Sequence, residues 1–70
     1  MNIEREIIKH HADLNDKEWK LEVNTVSWNR GEPKLDIRQW SPDHEKCDKG
    51  ITLTEIEARR LKRVLNELMK

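Results

Sequence analysis

The 70-residue sequence lacks phenylalanine and tyrosine and contains only one cysteine, two glycines, two prolines and three tryptophans. One cysteine excludes an internal disulfide bond, and two widely separated glycines exclude a glycine-rich phosphate-binding loop. The sequence shows no apolar signal segment, no run long enough to span a membrane, and no pairing of a nucleophile with a base. We therefore expect a protein of the cytoplasm, including the nucleoid, with no membrane partner, no cofactor and no enzyme activity.

Apolar side chains are also scarce, because hydrophobic residues make up 34% of the chain and charged residues 40%. A chain of this length with so little to bury usually needs a disulfide, a metal or a partner chain for stability. We expect residues 1–70 to form one domain and an obligate homo-oligomer. The net charge is zero, so any attraction to nucleic acid requires a local arrangement of basic side chains.

Histidine and cysteine side chains raise the question of a metal site. His44 and Cys47 have a spacing that supplies two ligands at most, whereas a structural zinc site needs four. The adjacent His10 and His11 are typical of a surface pair. We predict no bound metal.

Alternation of apolar and polar residues predicts strands at residues 19–28, 34–40 and 51–53. Residues 2–14 alternate imperfectly and fit either a strand or a helix. Thr54 and Glu57 have the spacing of a capping box and predict that a helix begins there. Apolar residues then recur at helical spacing on one stripe: Ala58, Leu61, Val64, Leu65 and Leu68.

Residues 29–33 are predicted to form the loop between two of these strands, with Gly31 in the left-handed region. A loop centred on residue 31 places Trp28 opposite Lys34, followed by the pairs Val26 with Asp36, Asn24 with Arg38, and Glu22 with Trp40. Because strand side chains alternate between faces, one face carries an apolar set that we assign to the core: Trp19, Leu21, Val23, Leu35 and Ile37.

The other face of the same strands combines cations with aromatic rings. Lys34, Arg38 and Trp40 are expected to stand in water there, and Trp28 is either a member of this surface or a core aromatic. Flat rings beside positive charges are what a single-stranded nucleic acid requires, because rings stack on bases and cations neutralise phosphates. The alternative is that these side chains form an ordinary solvated charged surface that binds no nucleic acid.

A longer motif overlaps this surface. Residues 26–29 read Val-Ser-Trp-Asn, residues 32–46 read Glu-Pro-Lys-Leu-Asp-Ile-Arg-Gln-Trp-Ser-Pro-Asp-His-Glu-Lys, and residues 49–53 read Lys-Gly-Ile-Thr-Leu. This run resembles the C-terminal domain of the transcriptional coactivator positive cofactor four, and more closely its small bacterial YdbC-like relatives. The resemblance extends from residue 19 into the C-terminal helix.

The resemblance implies an α+β fold: a strand at residues 2–14, hence a four-stranded curved antiparallel sheet followed by one C-terminal helix (ββββα), in a homodimer. It implies single-stranded DNA binding with little sequence preference and a transcriptional regulator or coactivator-like role, with the transcription machinery as a further partner. The expected nucleic-acid-binding residues are Trp28, Lys34, Arg38, Trp40, Lys46 and Lys49, with Lys20 and Arg30 at the margin. The expected dimer residues are Leu61, Val64, Leu65 and Leu68. The alternatives are RNA as the ligand, or a protein-interaction module that uses the same tryptophan face.

Overall fold

A computed structural model describes residues 4–70. The elements are β1 Arg5–Asp13, β2 Lys20–Trp28, β3 Lys34–Trp40, β4 Cys47–Leu53 and α1 Glu55–Leu68. The strands form one antiparallel sheet in chain order, and the helix follows. The predicted ββββα fold is confirmed, although Asn2 and Ile3, which were predicted to belong to the first strand, lie outside the described residues.

The β2–β3 hairpin has a register two residues away from the predicted one. Its pairs are Val26 with Lys34, Asn24 with Asp36, Glu22 with Arg38, and Lys20 with Trp40. The hairpin is centred on residue 30 rather than residue 31, and the positive φ angles belong to Asn29 (51°) and Arg30 (62°) rather than to Gly31. A shift of two residues moves each pair along the strand but leaves every side chain on its predicted face.

In β2 and β3 most of the buried side chains lie on the face that was expected to stand in water, whereas Leu53 of β4, opposite Leu35, is buried on the other face. We call the face with Glu22, Asn24, Val26, Trp28, Asp36, Arg38 and Trp40 the inner face, and the opposite one the outer face. Trp40 is only 1% exposed, so the expectation that it stands in water was wrong, and Trp19 is 36% exposed rather than part of the core. On the outer face Val23 and Ile37 remain half-buried. The sheet curls around its inner face, which β1 and the loop after β3 help to cover.

The helix begins as predicted but covers little of the sheet. Thr54 accepts a hydrogen bond from the backbone N–H of Glu57, whose side chain accepts one from the backbone N–H of Thr54, and so the capping box is confirmed. These bonds hold the pKa of Glu57 below its usual value. α1 contacts β3 and β4 only, and none of its residues is buried. Among residues 4–70 no helix has the length and apolar character needed to cross a membrane.

Strand β4 begins at Cys47, four residues before the predicted start, and this places Gly50 inside the strand. Gly50 pairs with Arg38, and the ladder is irregular between Arg38 and Trp40, which pairs with Cys47. A β-carbon on Gly50 would lie 2.0 Å from the Cβ atom of Arg38 and 2.4 Å from the carbonyl oxygen of Ile37. Glycine is therefore required here by the close approach of the two strands.

Candidate nucleic-acid interface

Trp40 lies beneath an arginine from the first strand. The guanidinium carbon of Arg5 is 5.3 Å from the centre of the Trp40 ring, within the range of a cation–π contact. Arg5 also donates a hydrogen bond of 2.6 Å to the backbone carbonyl of Glu45. Because Arg5 pairs with Trp28 on the neighbouring strand, its reach to Trp40 requires a strongly curled sheet.

The loop at residues 41–46 also contacts Trp40. The Ser41 hydroxyl donates to the Asp43 carboxylate at 2.7 Å, and the backbone N–H of Glu45 donates to the same oxygen at 2.9 Å. These bonds hold the pKa of Asp43 below its usual value, the larger effect coming from Glu45. His44 adopts a left-handed φ of 60°, and its ring centre lies 5.7 Å from that of Trp40. The loop is thus ordered by its own hydrogen bonds and presents His44 to the tryptophan.

A second arginine lies over Trp28. The guanidinium carbon of Arg38 is 4.8 Å from the centre of that ring. Arg38 Nε donates to the fully buried carboxylate of Asp36 at 2.8 Å, and the hydroxyl of Thr52 donates to the other carboxylate oxygen at 2.6 Å. The hydrogen bond to Asp36 raises the pKa of Arg38 above its usual value. Asp36 therefore fixes the direction of the guanidinium.

Both indole N–H groups, those of Trp28 and Trp40, are buried and find no hydrogen-bond acceptor among residues 4–70. A buried donor without an acceptor costs about 1–3 kcal/mol. Such groups are uncommon in native proteins and call for a reason. Here the two orphaned donors belong to the two tryptophans that arginines cover.

The remaining predicted cations are largely in solvent. Lys34, Lys46, Lys49 and Arg30 are exposed and Lys20 is half-buried. Within the described part of the chain, the ion pairs include none of the four lysines, whereas Arg30 pairs with Glu4 at 2.9 Å. Both partners of that pair are exposed, so it is weak and salt-sensitive. The lysine ammonium groups are free to bind an anion.

The structure brings together some of the predicted site residues and separates others. Trp28 and Arg38 are in contact, whereas Lys34 and Trp40 are the first and last residues of β3, about 20 Å apart along the strand. Sequence reasoning missed Arg5 and His44, which contact Trp40. A basic residue at the start of a strand is a weak signal, and nothing in the sequence indicates that Arg5 reaches across two strands.

A model of the family described as transcriptional coactivator p15 (PC4) matches residues 15–64. The chain belongs to that family. The resemblance to positive cofactor four is confirmed, and the assignment to a bacterial subgroup stays a prediction. The description of the family is that of a transcriptional coactivator.

The chain is also similar to an uncharacterised protein of Treponema pallidum (strain Nichols), with 48% identity over 50 residues. That stretch covers 71% of this chain and 59% of the length of the relative. The p15 (PC4) match includes β2, β3 and β4 and most of α1 but not β1. Arg5, which covers Trp40, therefore lies in a part of the chain outside the matched residues.

Proposed function

We propose that residues 1–70 form one domain that binds single-stranded DNA on the inner face of its sheet, with little sequence preference, as a homodimer. The observation that carries this proposal is that one face sets a guanidinium group over each of two tryptophan rings, Arg5 over Trp40 and Arg38 over Trp28. Family membership supports the same ligand.

Nucleobases stack on the two guanidinium–indole pairs. A guanidinium plane stacks on a base as an aromatic ring does, and it also attracts the neighbouring phosphate. A base that stacks on Arg5 or Arg38 brings base and phosphate acceptors next to the indole beneath it. The bound strand thereby offers the orphaned N–H groups of both tryptophans a partner, and a tryptophan buried in the free protein takes part in binding through the arginine that covers it.

The exposed lysines neutralise the phosphates. Lys34 lies at the start of β3 on the same face as Asp36 and Arg38, and Lys46 and Lys49 lie beside and within β4. Lys20 pairs with Trp40 across the β2–β3 ladder, and Arg30 adds charge at the hairpin. Their partner groups in the protein are few, so binding a phosphate does not first require breaking a strong ion pair. A duplex binds less well because its paired bases cannot present their faces to the sheet, and stacking distinguishes bases poorly.

Binding of fluorescently labelled 20-nucleotide DNA, single-stranded or duplex, tests this proposal by fluorescence anisotropy at several salt concentrations. We expect the single strand to bind at least about tenfold more tightly than the duplex, with affinity that falls steeply as salt rises. Equal affinity for both forms, or affinity independent of salt, would contradict the stacking proposal and favour a protein partner for the same face.

Replacement of Lys34 by glutamine is expected to reduce the salt dependence of binding. For single strands, the slope of log K against log salt is about −0.7 per neutralised phosphate, so the loss of one contact makes the slope shallower by about 0.7. The measurement is the same anisotropy titration. Lys62→Gln on α1 is the matched control, because it removes the same charge on a different element and is expected to leave the slope unchanged. A Lys34→Gln slope equal to that of the wild type would remove Lys34 from the site.

Replacement of Arg5 by lysine separates stacking from charge. The variant keeps the positive charge but loses the flat guanidinium, so we expect the salt slope to stay constant while affinity falls by about 1–3 kcal/mol, or roughly 5- to 150-fold. Arg63→Lys on α1 is the control for the same exchange away from the sheet. An Arg5→Lys protein that binds as tightly as the wild type would show that charge alone matters at this position.

The helix supports the homodimer. Leu61, Val64, Leu65 and Leu68 are 37%, 52%, 47% and 72% exposed, and Ile51 of β4 is 53% exposed. An exposed apolar stripe of this kind on the helix of a small domain indicates an interaction site. A second copy of the chain can cover this surface, because the same stripe on two chains is self-complementary around a twofold axis.

A further inference from the structure

We propose that His10, Asp13 and Glu22 form a binding site for one divalent transition-metal ion such as Zn²⁺. One ligand atom from each of the three residues lies within 4.8 Å of the other two. They line an open cleft of about 510 Å³ at the edge of the sheet, together with His44 and Ile7. The sequence argued against a metal because His44 and Cys47 supply two ligands at most, and the site depends on strand pairing instead.

An irregularity in β1 places two of the ligands on one face. His10 pairs with Asn24 and Asp13 pairs with Glu22, and the register shifts between His10 and Ala12. In a regular strand, residues three apart point to opposite faces, so the extra residue of the bulge is what aims both His10 and Asp13 at Glu22. His11 is the bulged residue, and its ring nitrogen bonds the hydroxyl of Thr25 instead.

The hydrogen bonds of His10 identify the nitrogen that faces the metal. Asn24 Nδ2 donates to Glu22 Oε1 at 3.0 Å, so Asn24 Oδ1 is the atom that accepts from His10 Nδ1 at 2.6 Å. In the tautomer with its proton on Nδ1, which is a form that can bind a metal ion, His10 has a lone pair on Nε2. That lone pair faces a carboxylate oxygen of Asp13, which is itself only an acceptor, at 3.3 Å.

A metal ion between His10 Nε2 and the Asp13 carboxylate oxygen would bind both acceptors. The 3.3 Å separation is longer than the 2.7–2.9 Å typical of charge-assisted hydrogen bonds. It matches the distance of about 3.4 Å between two ligands bound at about 2.0–2.1 Å to one tetrahedral ion. The ion also offsets the charges of two neighbouring carboxylates, of which Glu22 has a side chain only 5% exposed.

The surrounding groups are those that orient ligands in known metal sites. The fully buried Asn24 fixes the His10 tautomer from behind, and His44 Nε2 lies 2.8 Å from the second carboxylate oxygen of Glu22. One imidazole nitrogen with two carboxylate oxygens suits Zn²⁺ and related ions, whereas Mg²⁺ and Ca²⁺ prefer oxygen ligands alone. Water completes the coordination from the open side of the cleft.

Titration of the EDTA-treated full chain with ZnCl₂ by calorimetry, with circular dichroism as the check of folding, tests the site. We expect one ion bound per chain, an unfolding midpoint that rises with zinc concentration, and no response to Mg²⁺. Asp13→Asn and His10→Gln are expected to weaken zinc binding by at least about tenfold. His11→Gln and Cys47→Ser, which alter the neighbouring histidine and the single thiol, are expected to bind as the wild type does.

The proposal is overturned if zinc does not bind, or if Asp13→Asn binds it as tightly as the wild type while remaining folded. Loss of binding in His11→Gln or Cys47→Ser to the same degree would also overturn it, because the ion would then lie elsewhere. If His10→Gln fails to fold, Asp13→Asn still tests the site. The Asp13 side chain is 42% exposed and lies at the end of β1, so its replacement is expected to leave the fold intact.

Discussion

Gly50→Ala is expected to lower the free energy of unfolding by about 3 kcal/mol or more, at the upper end of the range for overpacked sites. The added methyl group would lie 2.0 Å from the Cβ atom of Arg38 and 2.7 Å from its Cα atom, so backbone atoms would have to move. No flexible side chain can relieve this contact. A domain of this size has a total stability of only about 4–10 kcal/mol, and the variant would lose a large part of it.

Urea unfolding followed by circular dichroism measures the effect. Lys49→Ala is the matched control, because it changes the exposed neighbour on the same strand and is expected to stay within about 0.5 kcal/mol of the wild type. Arg38 is the residue that Gly50 touches, so any Gly50→Ala protein that still folds is expected to bind single-stranded DNA more weakly. A Gly50→Ala variant as stable as the wild type would mean that β3 and β4 can accommodate a β-carbon at position 50.

For β2, β3 and α1, the elements and the assignment of side chains to faces were predictable because they depend on local periodicity, whereas β1 was expected from the family resemblance. Strand alternation assigned Trp28, Arg38 and Trp40 to one face, and the Thr54–Glu57 spacing marked the start of the helix. Even the two-residue error in the hairpin preserved the faces, because side-chain direction repeats every two residues.

Which face is buried was not predictable in the same way. Hydrophobicity favoured Leu35 and Ile37 as core, yet the sheet curls over Asn24, Asp36 and Trp40. Curvature depends on contacts between distant segments, above all Arg5 and the loop at residues 41–46 over Trp40. Buried polar groups are tolerated there because they bond one another, as Asp36 does with Arg38 and Thr52.

The dependence on contacts between distant segments also explains why the role of Arg5 and the site formed by His10, Asp13 and Glu22 could not be found from the sequence. Both depend on the pairing of β1 with β2, and two irregularities in that ladder separate the pairing from any local signal. In a regular strand His10 and Asp13 would face opposite sides of the sheet, and it is the bulge at His11 that brings them to the same side. Arg5 joins the site only because the sheet is curled.

The outer face is apolar because it carries the residues that hydrophobicity assigned to the core, and α1 covers little of it. Val23 and Ile37 are half-buried, and the exposed stripe of α1 lies on the element that follows β4. A second chain would complete a core that one chain leaves unfinished. This would explain how a sequence with 34% hydrophobic residues folds stably.

Leu65→Glu is expected to abolish the homodimer. Loss of one buried leucine costs about 2–5 kcal/mol, and a twofold interface contains the change twice. The dissociation constant would rise by about a thousandfold or more, since each 1.4 kcal/mol is tenfold. The measurement is mass by light scattering after size exclusion, where the wild type is expected at twice the chain mass of 8.4 kDa.

Asn66→Glu is the matched control, because it adds the same charge at the next position, which the helix turns away from the stripe. It is expected to remain dimeric. Leu65→Glu is also expected to bind single-stranded DNA more weakly, since two linked platforms hold one strand more tightly than a single platform does. A Leu65→Glu protein with the mass of the wild-type dimer would show that the helix stripe serves another partner. A Leu65→Glu monomer that keeps full affinity would show that one inner face is sufficient for binding.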